Sequence, residues 1–314
     1  MSRWAWWWRQ GWRQERGALA VVLGLGITAF IGFAAISIDV GRLFVERFQL
    51  RNAADAAALG GAQLLPDDPA GARATALAIL AANGVAPGQV EVSVEGESDL
   101  LRVRAGGAVD LTFARVLGMA AGAVEVESVA RVGAVTGLSG ATPLGIEAAE
   151  FVPGETYLIK LCPGGSTPPE QGNFHALALG GRGARVYREN LSYGYDDVLA
   201  VGDTVLTETG NMSGPTEDGI AERIAADPDA TYETFSNDSP RLLLVPLVDD
   251  FDVSGRSEVG IVGFAAFFLE DVSTGEDGNA QVVGRFVDVV RDGEDIGDIG
   301  EAPPCSLRGV DLVQ

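Results

Sequence analysis

Residues 17–38 of this chain read GALAVVLGLGITAFIGFAAISI, with no charged side chain among them. At 1.5 Å of rise per residue such a run makes about 33 Å of helix, enough to cross a hydrocarbon core of about 30 Å. Helix is the form it must take in lipid, where only helices and closed barrels satisfy every backbone polar group. The pattern then changes. Asp39, Arg42, Glu46, Arg47 and Arg51 recur at near-helical spacing, with Leu43, Phe44, Phe48 and Leu50 between them. An Ala-rich run over residues 52–65 follows, with no proline before Pro66. One continuous helix is expected, its first part in lipid and its second part packed on a soluble domain.

The charge distribution orients that helix. Arg3, Arg9, Arg13, Arg16 and a single glutamate give residues 1–16 a charge of +3, in a chain whose net charge is −22. The basic flank is expected to stay in the cytoplasm, with Arg13 and Arg16 nearest the lipid and the acidic bulk outside. Trp4, Trp6, Trp7, Trp8 and Trp12 crowd the same tail and suit the headgroup layer of the inner face. The acidic remainder argues against nucleic acid as a partner. The apolar run exceeds a usual signal-peptide core and ends in Ile38-Asp39-Val40, without a small-x-small cleavage pattern. Gly17 stands where a prepilin peptidase would cut, but the fifth residue after it is Val22 rather than glutamate. A retained single-pass anchor in the cytoplasmic membrane is therefore expected.

Asp39-Val40-Gly41-Arg42, closing the apolar run, and Leu50-Arg51-Asn52-Ala53-Ala54-Asp55-Ala56-Ala57-Ala58 after it resemble the N-terminal region of TadE/TadG-like proteins. These are components of Flp (Tad) pilus assembly. The resemblance covers residues 15–65 well and residues 70–135 more loosely. It implies a membrane-anchored, minor pilin-like structural or assembly component. Its partners would be the lipid bilayer and other pilus-assembly membrane proteins, with no cofactor and no enzymatic reaction. Asp39, Arg42, Asn52 and Asp55 belong to the shared signature. Asp39 and Arg42 are three apart on a helix and could pair. Within the apolar run Gly24, Thr28 and Gly32 recur every four residues on one face. Such a face permits close helix approach, including a homo-oligomer, although small residues are also common in lipid helices for no special reason.

Beyond the anchor the expected class is α+β: a pilin-like helix with a small antiparallel sheet over residues 39–135, then a β-rich extracytoplasmic domain over 143–314. Pro66-Asp67-Asp68-Pro69 breaks the long helix, and Asp68 can cap a second one over residues 69–82, ended by Asn83-Gly84. Alternation predicts strands at 90–94, 101–104 and 124–132, with a short helix at 112–117 closed by Gly118. Residues 136–142 are small and polar and read as a linker. In the second domain strands are expected at 156–161, 174–179, 242–245, 259–269 and 282–290, and helices at 184–191 and 215–226.

No residue pattern selects a reaction. His175 is the single histidine, and no G-x-S-x-G elbow accompanies it. With one histidine and no CxxC, zinc is not expected. Cys162 and Cys305 both fall in the part placed outside, where they could form a disulfide or remain separate thiols. Acidic stretches at Asp249-Asp250-x-Asp252, Glu276-Asp277 and 292–298 could hold Ca²⁺, but none has EF-hand spacing, and solvated loops explain them as well. Residues 202–216 are dense in turn-formers and hydroxyls, as a binding loop or a structural loop would be. The alternative to assembly is a tethered hydrolase or a carbohydrate-binding surface module.

Overall fold

The computed structural model describes residues 7–97, 99–149, 151–160, 174–249, 256–276, 278–290, 295–297, 303 and 306–313. Cys162 and Cys305 lie outside the described residues, as do Asp250 and Asp252.

The chain opens with α1 (Trp7–Ala62), a single helix of 56 residues that runs unbroken past Asp39. Residues 19–34 are exposed along its apolar part. After Leu50 one face is buried, lined by Ala53, Ala54, Ala57, Ala58 and Ala62. α2 (Pro69–Ala82) follows, started as its sequence predicts: Pro69 in the first turn and Asp68 Oδ1 accepting from Gly71 N at 2.8 Å. Then come β1 (Val90–Glu95), β2 (Leu100–Asp110) and β3 (Ala121–Leu138), joined as an antiparallel meander. Their inward residues, among them Leu101, Val103, Val124 and Val126, meet the Ala face of α1 and the buried Ala72, Ala76 and Leu80 of α2. Small residues let the helix lie low on the sheet. A Cβ at Gly61 would come within 2.7 Å of the Ala72 carbonyl oxygen. The opposite face of the meander is wet, and there Glu95–Arg102–Glu127–Arg104–Glu91 form a cross-strand ladder of ion pairs.

The second part is strand-rich, as expected. It contains β4 (Leu144–Glu147), β5 (Thr156–Lys160), β6 (Phe174–Ala176), α3 (Ala184–Tyr193), β7 (Leu199–Ala200), β8 (Thr204–Leu206) and α4 (Ser213–Ala226). β9 (Leu242–Val248), β10 (Glu258–Thr274), β11 (Ala280–Val287), β12 (Asp295–Gly297) and β13 (Arg308–Val313) complete it. A seven-stranded sheet has the order β5-β11-β10-β9-β4-β6, with β8 also on β10. All its pairings are antiparallel except β4 with β9. β10 is buried on both faces. Ala265, Phe267 and Leu269 join the core under α3 and α4, while Phe264, Ala266 and Phe268 join the core on the other side. Two buried arginines close this region through main-chain carbonyls. Arg241 reaches Leu269 O at 2.9 Å and Ala230 O at 2.8 Å. Arg223 donates to Leu191 O, and to Pro240 O at 2.7 Å. Burial pulls the Arg223 guanidinium down to about 10, still charged at neutral pH.

The structure differs from the expected linker at 136–142. Residues 136–138 are the end of β3, and Ala141 and Thr142 are fully buried. Thr142 donates to Leu244 O from both its backbone N (2.8 Å) and its hydroxyl (2.9 Å). The small, hydroxyl-rich composition that reads as a flexible joint here serves a tight passage between two sheets. The edge of β3 away from β2 is covered by strands from the far end of the chain. β13 pairs with residues 129–134, and β12 with residues 134–137. Arg308 adds a polar tie, donating to Leu65 O at 3.1 Å, to Asp67 at 2.7 Å and to Asp288.

Candidate functional site: where α1 leaves its apolar segment

The first charged side chain after the apolar run is Asp39, and it is only 3% exposed. Its carboxylate accepts three backbone N–H groups. Thr112 N donates to Oδ1 at 2.8 Å, while Phe113 N at 2.8 Å and Ala114 N at 2.6 Å donate to Oδ2. These donors sit at the start of a single 3₁₀ turn (Ala114–Leu117), where N–H groups lack partners of their own. Gly118 closes the turn in the left-handed conformation, φ 89°. Burial by itself pushes the Asp39 carboxyl up. The three N–H groups, helped by the charge of Arg42, outweigh that and hold it below the ordinary 3.8. Arg42 itself donates from Nη1 to Thr112 Oγ1 at 2.8 Å. Asp39 and Arg42 thus clasp one turn together.

The clasp solves a solvation problem at both ends. A carboxylate next to the apolar segment would be costly without partners, and so would three unpaired N–H groups there. Each supplies what the other lacks.

Further along α1 the shared block does different work. Arg51 pairs with Asp55 at 3.0 Å and donates to Glu127 O at 2.9 Å, pinning the helix to β3. Asn52 is exposed. In the apolar run, Thr28 Oγ1 bonds back to Gly24 O at 2.9 Å, and a Cβ at Gly24 or Gly32 would meet nothing within 4 Å. That face is open. Arg13 and Arg16 fall in α1, in the stretch whose backbone alone is described. Past Asp39, Val40, Phe44, Val45 and Phe48 remain exposed, with Val40 and Phe44 lining a shallow groove against Ala123, Val124 and Glu125 of β3.

Residues 17–64 match a family model. Its description is Putative Flp pilus-assembly TadE/G-like. The TadE/G-like segment therefore comprises the apolar run, the Asp39–Arg42 clasp and the Ala-rich packing face, and stops where α1 ends. The chain matches no curated protein and no solved structure.

The other candidates from the sequence fall apart from this site. His175 is buried in β6, and burial holds its imidazole below the ordinary value, so it is neutral at pH 7. Asp249 accepts from Gly260 N at 3.0 Å within the second sheet. Residues 202–216 hold β8 and the first turn of α4, with Met212 in the core and buried Glu208 accepting from Gly183 N at 2.6 Å. Among the described residues, no group of three His, Cys, Asp or Glu is placed to hold a metal. Sequence reasoning missed the partners of Asp39. The signal was there: an acid at the end of the apolar run and a short helix start at 112, a combination that favours a carboxylate at the helix N-terminus.

Proposed function

We propose that this protein is a membrane-anchored structural or assembly component of a Flp/Tad-type pilus, minor pilin-like in its N-terminal half. The observation that carries this reading is the TadE/G-like match over residues 17–64, on a helix whose apolar half is exposed from residue 19 to residue 34. An apolar helix surface of that length needs lipid or other helices around it. In this reading residues 17–38 cross the cytoplasmic membrane once, the basic tail of residues 1–16 stays inside, and the acidic remainder lies outside. The open face at Gly24, Thr28 and Gly32 packs against a neighbouring anchor, of another pilus component or of a second copy. The module of residues 39–135 holds the helix upright, and the domain of residues 143–314 makes the protein contacts outside. No reaction is assigned to the protein.

The test is a count of surface pili by electron microscopy in a strain lacking the gene, complemented by wild type or by Gly24→Leu/Gly32→Leu. Pili should be lost on deletion and restored by wild type only. Restoration by both would remove the helix-packing step. Unchanged piliation without the gene would remove the pilus role.

A further inference from the structure

We propose that the β2–β3 tip, residues 111–120, is a second membrane contact that lies in the interface of the bilayer α1 crosses. The inference rests on the membrane-anchor reading above. Its geometric basis is the register between α1 and the sheet, in which α1 runs antiparallel to β2 and parallel to β3. Gly61 of α1 lies against Leu101 near the start of β2. Glu46 and Leu50 lie against Gly107. Leu43 lies against Gly122 at the start of β3, and Asp39 holds residues 112–114. The tip is thus the lowest part of the sheet, fastened to the residue that follows the apolar run.

Its chemistry fits that level. The sequence is LTFARVLGMA, with Arg115 as its one charge, in a chain of net charge −22. Phe113 is 40% exposed and Met119 is 54% exposed. Single exposed apolar residues are ordinary on any protein surface. These two differ because they are held beside the end of a lipid-length helix, where an aromatic and a flexible thioether have an apolar layer to enter. Six backbone N–H groups of the tip are already paired, which lowers the cost of a low-water setting. Thr112, Phe113 and Ala114 donate to Asp39. Leu111 N donates to Ala120 O, Gly118 N to Arg115 O and Met119 N to Ala114 O, at 3.0–3.1 Å. Arg115 is exposed, its only ion pair among the described residues is a long, solvent-exposed one to Asp110 at 3.9 Å, and its side chain can exchange that partner for headgroup phosphates. With α1 as one foot and the tip as another, the outer part is fixed in tilt and rotation relative to the membrane, which a lone helix does not do.

The experiment places a photo-crosslinking phenylalanine analogue, one position at a time, at 30, 113, 119 and 193 of the full-length protein. Each variant is reconstituted in phosphatidylethanolamine/phosphatidylglycerol vesicles, irradiated and read by mass spectrometry. Phe30 reports the anchor, and the exposed Tyr193 of α3 is the remote control. Lipid adducts at 113 and 119 in yields comparable to that at 30, with none above background at 193, are expected. Adducts at 30 but none at 113 and 119 overturn the tip contact and leave the anchor standing. Protein adducts at 113 and 119 in place of lipid also overturn it, since another chain then covers the tip. Absence of lipid at 30 overturns the anchor and the tip together. Phe113→Ser/Met119→Ser supplies the independent check. With its melting curve unchanged, it should lose the fixed orientation of the outer part in polarised infrared spectra of aligned bilayers. An unchanged orientation counts against the proposal.

Discussion

Where α1 lies on the first sheet, the contact is made by Ala53, Ala54, Ala57, Ala58 and Ala62, with Gly61 at the closest approach. Where β10 runs through the second sheet, the contact is made by Phe264, Phe267, Phe268 and their neighbours on both faces. The first contact is thin and depends on what is missing from the side chains. The second is thick and depends on aromatic volume, with Phe267 packed edge-on to Phe286 at 5.1 Å. Polar groups follow the same division. The first region pairs its buried carboxylate, Asp39, with backbone N–H groups. The second pairs its buried guanidinium groups, Arg223 and Arg241, with backbone carbonyls. The apolar part of α1 is rich in small residues, and the part that packs on the sheet keeps that composition. The second region builds its core from large apolar side chains instead.

Substitutions in opposite directions should break the two regions. Phe267→Ala removes a fully buried ring and should cost about 3–5 kcal/mol in urea unfolding of the detergent-solubilised protein. Gly61→Val forces a side chain against the Ala72 carbonyl and should cost about 1–3 kcal/mol. Hydrogen exchange sharpens the contrast. Gly61→Val should release protection in α2 and β2 while β9–β11 keep theirs, and loss of protection in β10 would mean that the two cores open as one. Asp39→Asn should have a smaller effect on global melting, because the tip can detach without opening either core. Its mark is in pH. The folded Asp39 titrates below 3.8, so its stabilisation is complete above that value and is lost as pH falls through the lower folded value. The stability gap between wild type and Asp39→Asn should hold constant from neutral pH to about pH 5 and shrink in acid. A gap independent of pH would mean the carboxylate charge does not matter. The smallest effect belongs to Glu127→Gln on the wet face of the meander. Any change in melting temperature at low salt should vanish in 1 M salt, where the Debye length is about 3 Å. A salt-resistant loss would show that this face is not free.

The sequence by itself determined the elements of the first region and the longer strands of the second, but not the short strands β4, β7, β8 and β12 or the closing β13. An uncharged run of lipid length, an Ala face at helical spacing and three alternating stretches are local patterns, and each became the expected helix or strand. The Asp68 cap and the Gly118 stop were legible for the same reason: their partners lie within a few residues. Tertiary structure decided which distant groups meet. Asp39 finds its donors some 75 positions away, and Arg308 finds Asp67 across 241. β13 covers the edge of β3, and the small residues of 136–142 are drawn into a buried passage instead of a joint. Local composition says how a segment can bend and what it can bury. It does not say which carboxylate will satisfy an orphan N–H, because that depends on where two separately formed elements come to rest against each other.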